Sequence, residues 1–288
     1  MRLKIEAPST EYPVPSTQKP VTMKQYGLIG FPLTHSFSEK YFAEKFRIEK
    51  ISDVEYINFP LQSIGEIMSL VFDNPKICGL NVTIPYKEQV IPFLKDIDPE
   101  AYEAGAVNTI TISRKNNKIF LKGYNTDIIG FIRSLPDDIS KKHNNALVLG
   151  TGGASKAVVC GLNKLNIKYQ LVSRTGKPGS ATYKDVAKKT IQNNTLIINT
   201  TPLGMYPDTG SLPDLPYRYL SEQHLLYDLV YNPSLTSFLN EGKKHGAGVM
   251  NGLQMLKNQA EESWKIWKKG IEGIEGVDGI EGKNGILE

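Results

Sequence analysis

The stretch Ala146-Leu-Val-Leu-Gly-Thr-Gly-Gly-Ala-Ser155 places four apolar residues directly before a turn rich in glycine. From Lys156 to Leu165 the apolar and small residues recur on one face, which predicts a helix. Gly150 permits a sharp turn, Gly152 lets the backbone approach a pyrophosphate, and the first N–H groups of the helix point at the anion. The stretch therefore predicts the phosphate-binding strand, turn and helix of a dinucleotide fold.

The residues after this turn strengthen the prediction, because the turn alone lacks the third glycine of the usual fingerprint and is compatible with a purely structural role. Alternating strand and helix patterns from 146 to 251 predict a mostly parallel, doubly wound sheet. The second strand, Tyr169–Ser173, leads into Arg174 where an NAD site usually carries an acidic residue. Arginine matches a 2′-phosphate, so NADP is favoured over NAD, with Lys177 as a second contact.

Composition limits the class of protein. The chain has 288 residues, 40% hydrophobic and 22% charged, which suits a globular protein of two domains. No apolar run approaches the ~20 residues of a membrane helix, and the scattered basic residues do not favour nucleic acid. Cys78 and Cys160 form no CxxC motif and the four histidines lack ligand spacing, so we expect no disulfide framework, no metal and a cytoplasmic location.

Both ends of the chain have the composition of tails. Residues 1–22 are polar and contain four prolines, which predicts a flexible segment ahead of Met23. Residues 270–288 repeat Ile-Glu-Gly without proline, which predicts an acidic low-complexity tail, with a short interaction segment as the alternative. We expect a first domain over 23–124 that the helix at 252–269 completes, and a nucleotide-binding domain over 125–251.

The N-terminal half carries polar residues at predicted strand and helix ends. Ser36 and Ser38 precede a helix predicted at 39–49, where they either cap the helix or hold a carboxylate at its N-terminus. Asn81 and Thr83 alternate with apolar residues in a predicted strand, and Lys87 follows it. Strands predicted at 54–59, 106–112 and 119–124 and a helix at 63–72 complete this half.

Three further polar residues are candidates for ligand contacts. In open α/β sheets, ligands usually bind where strands end and loops begin. Asn108 and Asp127 sit where strands meet loops, and for Asp127 a helix N-cap is the alternative. Gln259 lies beside the apolar stripe of a C-terminal amphipathic helix, where an ordinary exposed glutamine is the alternative.

Taken together, these motifs resemble the shikimate dehydrogenase family over roughly 25 to 268. The resemblance rests on eight motifs in one order: His35-Ser-Phe-Ser38, Asn81-Val-Thr-Ile-Pro-Tyr-Lys87, Gly105-Ala-Val-Asn-Thr109, Asn125-Thr-Asp127, Gly150-Thr-Gly-Gly-Ala-Ser155, Asn199-Thr-Thr-Pro-Leu-Gly-Met205, Tyr227-Asp-Leu-Val-Tyr231 and Gly252 to Gln259. It implies two α/β domains with a cleft between them and the NADPH-dependent, reversible reduction of 3-dehydroshikimate to shikimate in chorismate and aromatic amino-acid biosynthesis.

The resemblance also implies roles for individual residues. Lys87 and Asp127 would be the catalytic pair, and Ser36 and Ser38 would hold the substrate carboxylate. The ring hydroxyls would be held by Thr83, Asn108, Asp127, Tyr231 and Gln259. The cofactor would be bound by Gly150, Thr151, Gly152, Gly153, Ala154, Ser155, Ser173, Arg174, Thr175, Lys177, Leu229 and Gly252. The chain departs from the family at Glu39, where a proline is usual, and at Ser173, where an asparagine is usual.

Other functions remain open at this point. A quinate/shikimate dehydrogenase that accepts NAD is one alternative, against which Arg174 argues. A catalytically silent NADP-sensing module is another, and a structural partner recruited through the acidic tail is a third. The small-molecule substrate is the expected ligand, with no nucleic-acid or membrane partner, and the protein is expected to be a monomer or homodimer.

Overall fold

A computed structural model describes residues 23–33 and 36–275, which divide into two compact units. The first unit contains the described residues up to Tyr102, Val107–Asn125 and those from Ala260 onward. The second contains Glu103–Ala106 and Thr126–Gln259, so the last helix contributes to both units. Residues 1–22, 276–288 and His35 of the first motif lie outside the described residues.

The first unit is built on a mixed sheet. Its strands are β1 Lys24–Gly30, β2 Val54–Pro60, β3 Ile77–Val82, β4 Asp96–Ile97, β5 Thr109–Lys115 and β6 Lys118–Tyr124. In the described residues they lie in the order β2-β1-β3-β5-β6-β4. β1 is parallel to both β2 and β3, whereas β5 is antiparallel to β3 and β6. Asn116 and Asn117, between β5 and β6, have φ angles of 51° and 58°, which suit a tight hairpin.

Helices cover both faces of this sheet. The helices that begin in this part of the chain are α1 Phe37–Ile48, α2 Ile67–Asp73 and α3 Pro99–Ala104. Phe42 and Phe46 of α1 pack in one buried cluster with Trp264 and Trp267 of the C-terminal helix. The side chain of Trp267 occupies the space that a Cβ on Gly79 would need, and its Nε1 donates to Ile110 O at 3.0 Å. The C-terminal helix is therefore an integral layer of the first unit.

The second unit contains a parallel sheet. Its strands are β7 Asn145–Leu149, β8 Lys168–Ser173, β9 Ser180–Thr182, β10 Leu196–Asn199, β11 Leu225–Asp228 and β12 Gly248–Asn251. They lie in the order β12-β11-β10-β7-β8-β9, and each described pair is parallel. The helices are α4 Thr126–Ser134, α5 Ile139–Lys142, α6 Gly153–Lys164, α7 Lys188–Asn193, α8 Ser237–Lys244 and α9 Leu253–Glu275.

Both faces of the parallel sheet are buried, as its continuous apolar strands require. In β7, Ala146 and Val148 pack in a cluster with α4 and α6, whereas Leu147 and Leu149 pack in a second cluster with α7 and α8. The predicted α/β class with a doubly wound parallel sheet is confirmed.

Several element bounds differ from the predicted ones. β3 ends at Val82 and β5 begins at Thr109, so Thr83 and Asn108 lie just outside strands predicted to contain them. α6 begins at Gly153, ahead of the predicted Lys156, because Gly152 takes the extended conformation of an N-cap. α9 continues to Glu275, into the segment predicted as a tail. Apolar patterns locate an element, but its ends depend on where backbone hydrogen bonds stop.

Candidate active site

Thr83 directly follows β3 and lies beside Gly30, the last residue of β1, at the carboxyl ends of these two parallel strands. Its N–H donates to Ile29 O at 2.9 Å. A Cβ on Gly30 would overlap Thr83 Cγ2. Glycine at position 30 therefore allows the threonine side chain to lie over the end of β1, a close approach that no other residue permits.

The two predicted serines lie at the N-terminus of α1. Ser36 is its N-cap and accepts a hydrogen bond from Glu39 N at 3.2 Å, so the capping role is confirmed for this residue. Ser38 is buried, and its hydroxyl lies near the phenol of Tyr56, where burial raises the pKa and this hydroxyl lowers it. Glu39, in the first turn of the same helix, accepts from Asn58 Nδ2 at 2.7 Å. An acidic side chain thus lies within the turn predicted to bind a carboxylate.

Lys87 lies in the turns after β3, which a buried tyrosine anchors. Tyr86 donates its hydroxyl to Leu61 O at 2.6 Å, and its N–H donates to Thr83 O at 2.9 Å. The Lys87 carbonyl accepts from Val107 N at 2.8 Å. These bonds fix the backbone of Lys87 beside the segment that leads into Asn108.

In the second unit, the start of α4 meets α9. The helix begins at Thr126, so Asp127 is buried within the first turn and the N-cap alternative is wrong for this residue. Thr126 Oγ1 donates to Gln259 Oε1 at 3.5 Å. Gln259 is 7% exposed, so the alternative of an ordinary surface glutamine is wrong as well. A Cβ on Gly130 would stand 2.9 Å from Gln259 Cβ, and glycine therefore permits the close packing of the two helices.

The residues predicted to bind the cofactor lie at one edge of the parallel sheet. All six strands run in one direction, so the segments that follow them meet at their carboxyl ends. The chain reverses its direction of travel across the sheet between β7 and β10, which is the usual location of a nucleotide. The structure thus brings together Gly150–Ser155 after β7, Arg174–Lys177 after β8, Leu229 after β11 and Gly252 after β12. Tyr231, predicted to bind substrate, follows β11 at the same edge.

The glycine turn after β7 has the expected conformation. Gly150 has a φ of +113°, and a Cβ there would stand 2.6 Å from Thr200 Oγ1. A Cβ on Gly152 would meet nothing within 4 Å, so the space beside this backbone is open. α6 carries no acidic residue in its first turn, which suits an anion at its N-terminus.

The loop after β8 presents its charged residues to solvent. Ser173 Oγ contacts Ser180 Oγ at 2.8 Å and accepts from Lys177 N at 3.2 Å. The serine hydroxyl therefore closes the loop, while Arg174, Thr175 and Lys177 are exposed. The exposed cationic groups of this loop, Arg174 and Lys177, are therefore accessible to a phosphate.

Leu229 and Gly252, which follow β11 and β12, approach each other closely at the carboxyl edge of the parallel sheet. A Cβ on Gly252 would overlap Leu229 O, and Gly252 N donates to Val230 O at 3.4 Å. The nearby Tyr231 is half-buried, and burial raises the pKa of its phenol.

Sequence reasoning missed the network that supports this end of the edge. Asp228 accepts hydrogen bonds from Asn199 Nδ2 at 2.9 Å, Val230 N at 3.0 Å and Thr236 Oγ1 at 2.5 Å. Burial raises the pKa of the Asp228 carboxyl to about 6, while the three donors lower it. Asn199 Oδ1 in turn accepts from Thr201 N at 3.0 Å. The available signal was polar residues at the ends of apolar strands, in Asn199-Thr-Thr and Tyr227-Asp.

Within residues 23–33 and 36–275, no helix is both long and apolar enough to cross a membrane. The same residues contain no group of three or more histidine, cysteine, aspartate or glutamate side chains that could hold a metal ion.

Comparison with known proteins identifies the family. The model of the shikimate dehydrogenase substrate binding domain matches residues 28–110. An NADP(+) shikimate dehydrogenase of Clostridium beijerinckii is 39% identical over 258 residues, which cover 84% of this chain and 92% of that protein.

Solved structures agree with this similarity. The crystal structure of shikimate dehydrogenase 1 from Peptoclostridium difficile is 36% identical with a TM-score of 0.72, over 86% of this chain and 92% of that one. Shikimate 5-dehydrogenase from Thermus thermophilus, in complex with NADP(H) and shikimate, is 29% identical with a TM-score of 0.71, over 85% and 93%. The predicted family and the predicted class of NADP-dependent oxidoreductase are confirmed, and the chain belongs to the shikimate dehydrogenase family.

Proposed function

We propose that this chain reduces 3-dehydroshikimate to shikimate with NADPH, reversibly, as a step toward chorismate and the aromatic amino acids. The observation that carries the proposal is that one chain has, in each of its two units, a sheet edge suited to binding a ligand. The first unit has buried Ser36 and Ser38 at the start of α1, half-buried Thr83 just after β3 and buried Asn108 just before β5. The second unit has an open glycine turn at its topological switch point. The relatives that share both units are named for this activity.

The residues of the second unit fit NADP. Gly150, Thr151, Gly152, Gly153, Ala154 and Ser155 would hold the pyrophosphate, and the open space at Gly152 supports this assignment. Arg174 and Lys177 would bind the 2′-phosphate, with exposed Thr175 between them as a further contact, while Ser173 closes the loop. Leu229 and Gly252 would line the nicotinamide end. When bound, the cofactor supplies the hydride.

The first unit would bind the substrate through its polar edge. Ser36 and Ser38 hold the carboxylate at the start of α1, where helix N–H groups favour a negative charge. Thr83 and Asn108 hold ring hydroxyls, because they lie just beyond β3 and just before β5 at the same edge of the sheet. From the second unit, Asp127, Tyr231 and Gln259 contribute the remaining hydroxyl contacts.

Lys87 and Asp127 would move and orient the proton. The Lys87 ammonium donates a proton to the ketone oxygen as the carbonyl carbon is reduced, and the amine takes it back in the oxidation direction. The Asp127 carboxylate would orient the ammonium and accept a hydrogen bond from a substrate hydroxyl.

The decisive experiment is an assay of the purified chain with shikimate or quinate, each with NADP⁺ or NAD⁺, followed by the absorbance of the reduced cofactor. We expect rapid turnover only with shikimate and NADP⁺. Preference for quinate and NAD⁺ would identify a quinate/shikimate dehydrogenase. Tight NADPH binding with no oxidation of either acid would identify a cofactor-sensing module and overturn the proposal.

Location and assembly are part of the proposal. Neither Cys78 nor Cys160 forms a disulfide, which supports a reducing, cytoplasmic environment. A monomer or homodimer is the expected state, and light scattering of the eluted protein distinguishes the two.

A further inference from the structure

A buried polar network links two of the residues proposed to bind substrate. Its centre is Asn81 on β3, which is 4% exposed. Asn81 Oδ1 accepts from Tyr56 OH at 2.8 Å, and its Nδ2 donates to Thr109 Oγ1 at 3.1 Å and to Ser263 Oγ at 3.0 Å. The two hydroxyl oxygens of Thr109 and Ser263 are 2.8 Å apart. The network therefore joins three strands to the C-terminal helix.

On one side the network fixes Asn108. Asn81 Nδ2 donates to the Asn108 carbonyl at 3.2 Å, and Val82 N donates to the same oxygen at 2.8 Å. Thr109 Oγ1 donates to Asn108 Oδ1 at 3.2 Å. With its carbonyl and its side-chain oxygen both held, the amide plane of Asn108 is set, and its Nδ2 points away from Thr109.

On the other side the network reaches α1. The Tyr56 hydroxyl donates its proton to Asn81 Oδ1. Burial raises the pKa of this phenol, and the nearby Ser38 hydroxyl lowers it. The Tyr56 ring stacks on Phe42 of α1 with centroids 4.5 Å apart. Tyr56 therefore links α1, the helix that begins beside Ser38, to the asparagine at the centre of the sheet.

We infer that Tyr56 and Ser263 are positioning residues that hold Ser38 and Asn108 in register for one substrate molecule. The inference rests on the proposed roles of Ser38 and Asn108. It extends them because neither Tyr56 nor Ser263 needs to touch the substrate. Ser263 reaches the network from α9, and it lies 154 positions along the chain from Thr109, its partner in β5.

The physical reason is that every member of this network is buried. Removing the Tyr56 hydroxyl deprives Asn81 Oδ1 of its donor and Ser38 of the polar group beside it, and a buried polar atom left without a partner is costly. If the Asn81 amide rotated, Oδ1 could accept from one of the neighbouring hydroxyls. The bonds that Nδ2 donates to Thr109 and Ser263 would then be lost. Either response moves a side chain that binds the carboxylate or a ring hydroxyl.

The test compares Tyr56→Phe with Tyr26→Phe. Both tyrosines are buried in the same aromatic cluster, but the Tyr26 hydroxyl has no hydrogen-bond partner among the described residues. For Tyr56→Phe we expect KM for shikimate to rise about tenfold, the effect of one buried hydrogen bond, with kcat and KM for NADP⁺ changed less than about threefold. Tyr26→Phe should leave all three unchanged.

A cycle with Ser38→Ala tests whether Tyr56 acts through the serine. We expect the fold-change in KM of the double variant to lie well below the product of the fold-changes of the two single variants. The reason is that both substitutions disturb the same pair, Tyr56 and Ser38. Ser263→Ala supplies a second approach should Tyr56→Phe fail to fold, and it should raise KM for shikimate about three- to tenfold by the same argument.

The inference fails if Tyr56→Phe and Ser263→Ala lower the melting temperature but leave KM for shikimate at the wild-type value, because that pattern belongs to a purely structural network. It also fails if the fold-changes in the cycle multiply. A wild-type chain that does not oxidise shikimate would instead overturn the proposed function, so the two failures are distinguishable.

Discussion

The side-chain amide of Asn199 donates to Asp228 Oδ1 at 2.9 Å, and neither residue is exposed to solvent. Each lies at the last position of its strand, β10 and β11. Their hydrogen bonds to Thr201 and Val230 fix the first residues of the two loops that follow. One buried carboxyl–amide pair thus fixes the backbone of the two segments that follow β10 and β11, at the carboxyl edge of the parallel sheet.

This pair predicts a pH dependence of stability. Burial raises the pKa of Asp228 to about 6, whereas an unfolded aspartate titrates near ~3.9. Because the folded pKa is the higher one, the contribution to stability is fully present below pH ~4 and is lost as the pH rises through about 6. Relative to Asp228→Asn, the wild-type free energy of unfolding should fall by roughly 2–4 kcal/mol over this range.

Urea unfolding of both proteins at several pH values measures this difference. The asparagine variant cannot titrate at position 228, so other groups cancel in the comparison. Curves that stay parallel from acid to neutral pH would show that Asp228 keeps an ordinary pKa.

Alanine at Gly252 and at Gly152 should affect cofactor binding alike but stability differently. Gly252→Ala forces a Cβ into Leu229 O, so we expect a loss of about 1–3 kcal/mol of stability together with weaker NADPH binding. Gly152→Ala meets no protein atom within 4 Å, so its melting temperature should stay near that of the wild type. If the pyrophosphate approaches here, KM for NADPH should still rise about tenfold or more. Unchanged cofactor affinity in Gly152→Ala would place the pyrophosphate elsewhere.

Arg174 should determine the choice between the two nicotinamide cofactors. Arg174→Ala removes an exposed guanidinium from the loop after β8, and we expect KM for NADP⁺ to rise about 10–100-fold, the scale of charge-assisted hydrogen bonds to a phosphate. KM for NAD⁺ should change little. Arg218→Ala, which removes another arginine of the same unit stacked on Tyr219, is the control. Equal losses with both cofactors would show that Arg174 does not contact the 2′-phosphate.

Lys87 should affect turnover more than binding. Lys87→Met keeps the length of the side chain and removes the ammonium, so we expect kcat to fall by about 10²–10⁴ with a smaller change in KM. Lys115→Met, at the exposed end of β5, is the matched control and should retain activity. Turnover of Lys87→Met close to the wild-type value would remove Lys87 from the mechanism.

Glu39 should weaken substrate binding in the wild type. Its carboxylate lies in the first turn of α1 beside the serines proposed to hold the substrate carboxylate. Glu39→Gln retains an acceptor for Asn58 and removes the charge, so KM for shikimate should fall about two- to fivefold at low salt and less at high salt. Glu44→Gln, exposed on the same helix, should leave KM unchanged. A higher KM in Glu39→Gln would mean that the bond to Asn58 outweighs the repulsion.

The sequence by itself determined the types and order of the main elements and the chemistry of their ends. The apolar run before Gly150 specifies a strand buried on both faces, and glycine at 150 and 152 specifies the turn, because these are local requirements of backbone conformation and burial. Arg174 after the second strand predicts a 2′-phosphate from an equally local pattern.

Only the tertiary structure decided which distant residues act together. Ser263 meets Asn81 because α9 packs on the first sheet, and Asp228 meets Asn199 because β10 and β11 are neighbours in register. A sequence pattern carries the period and burial of one element. The pairing of two buried polar groups depends instead on how whole elements pack, where each donor must find its acceptor away from water.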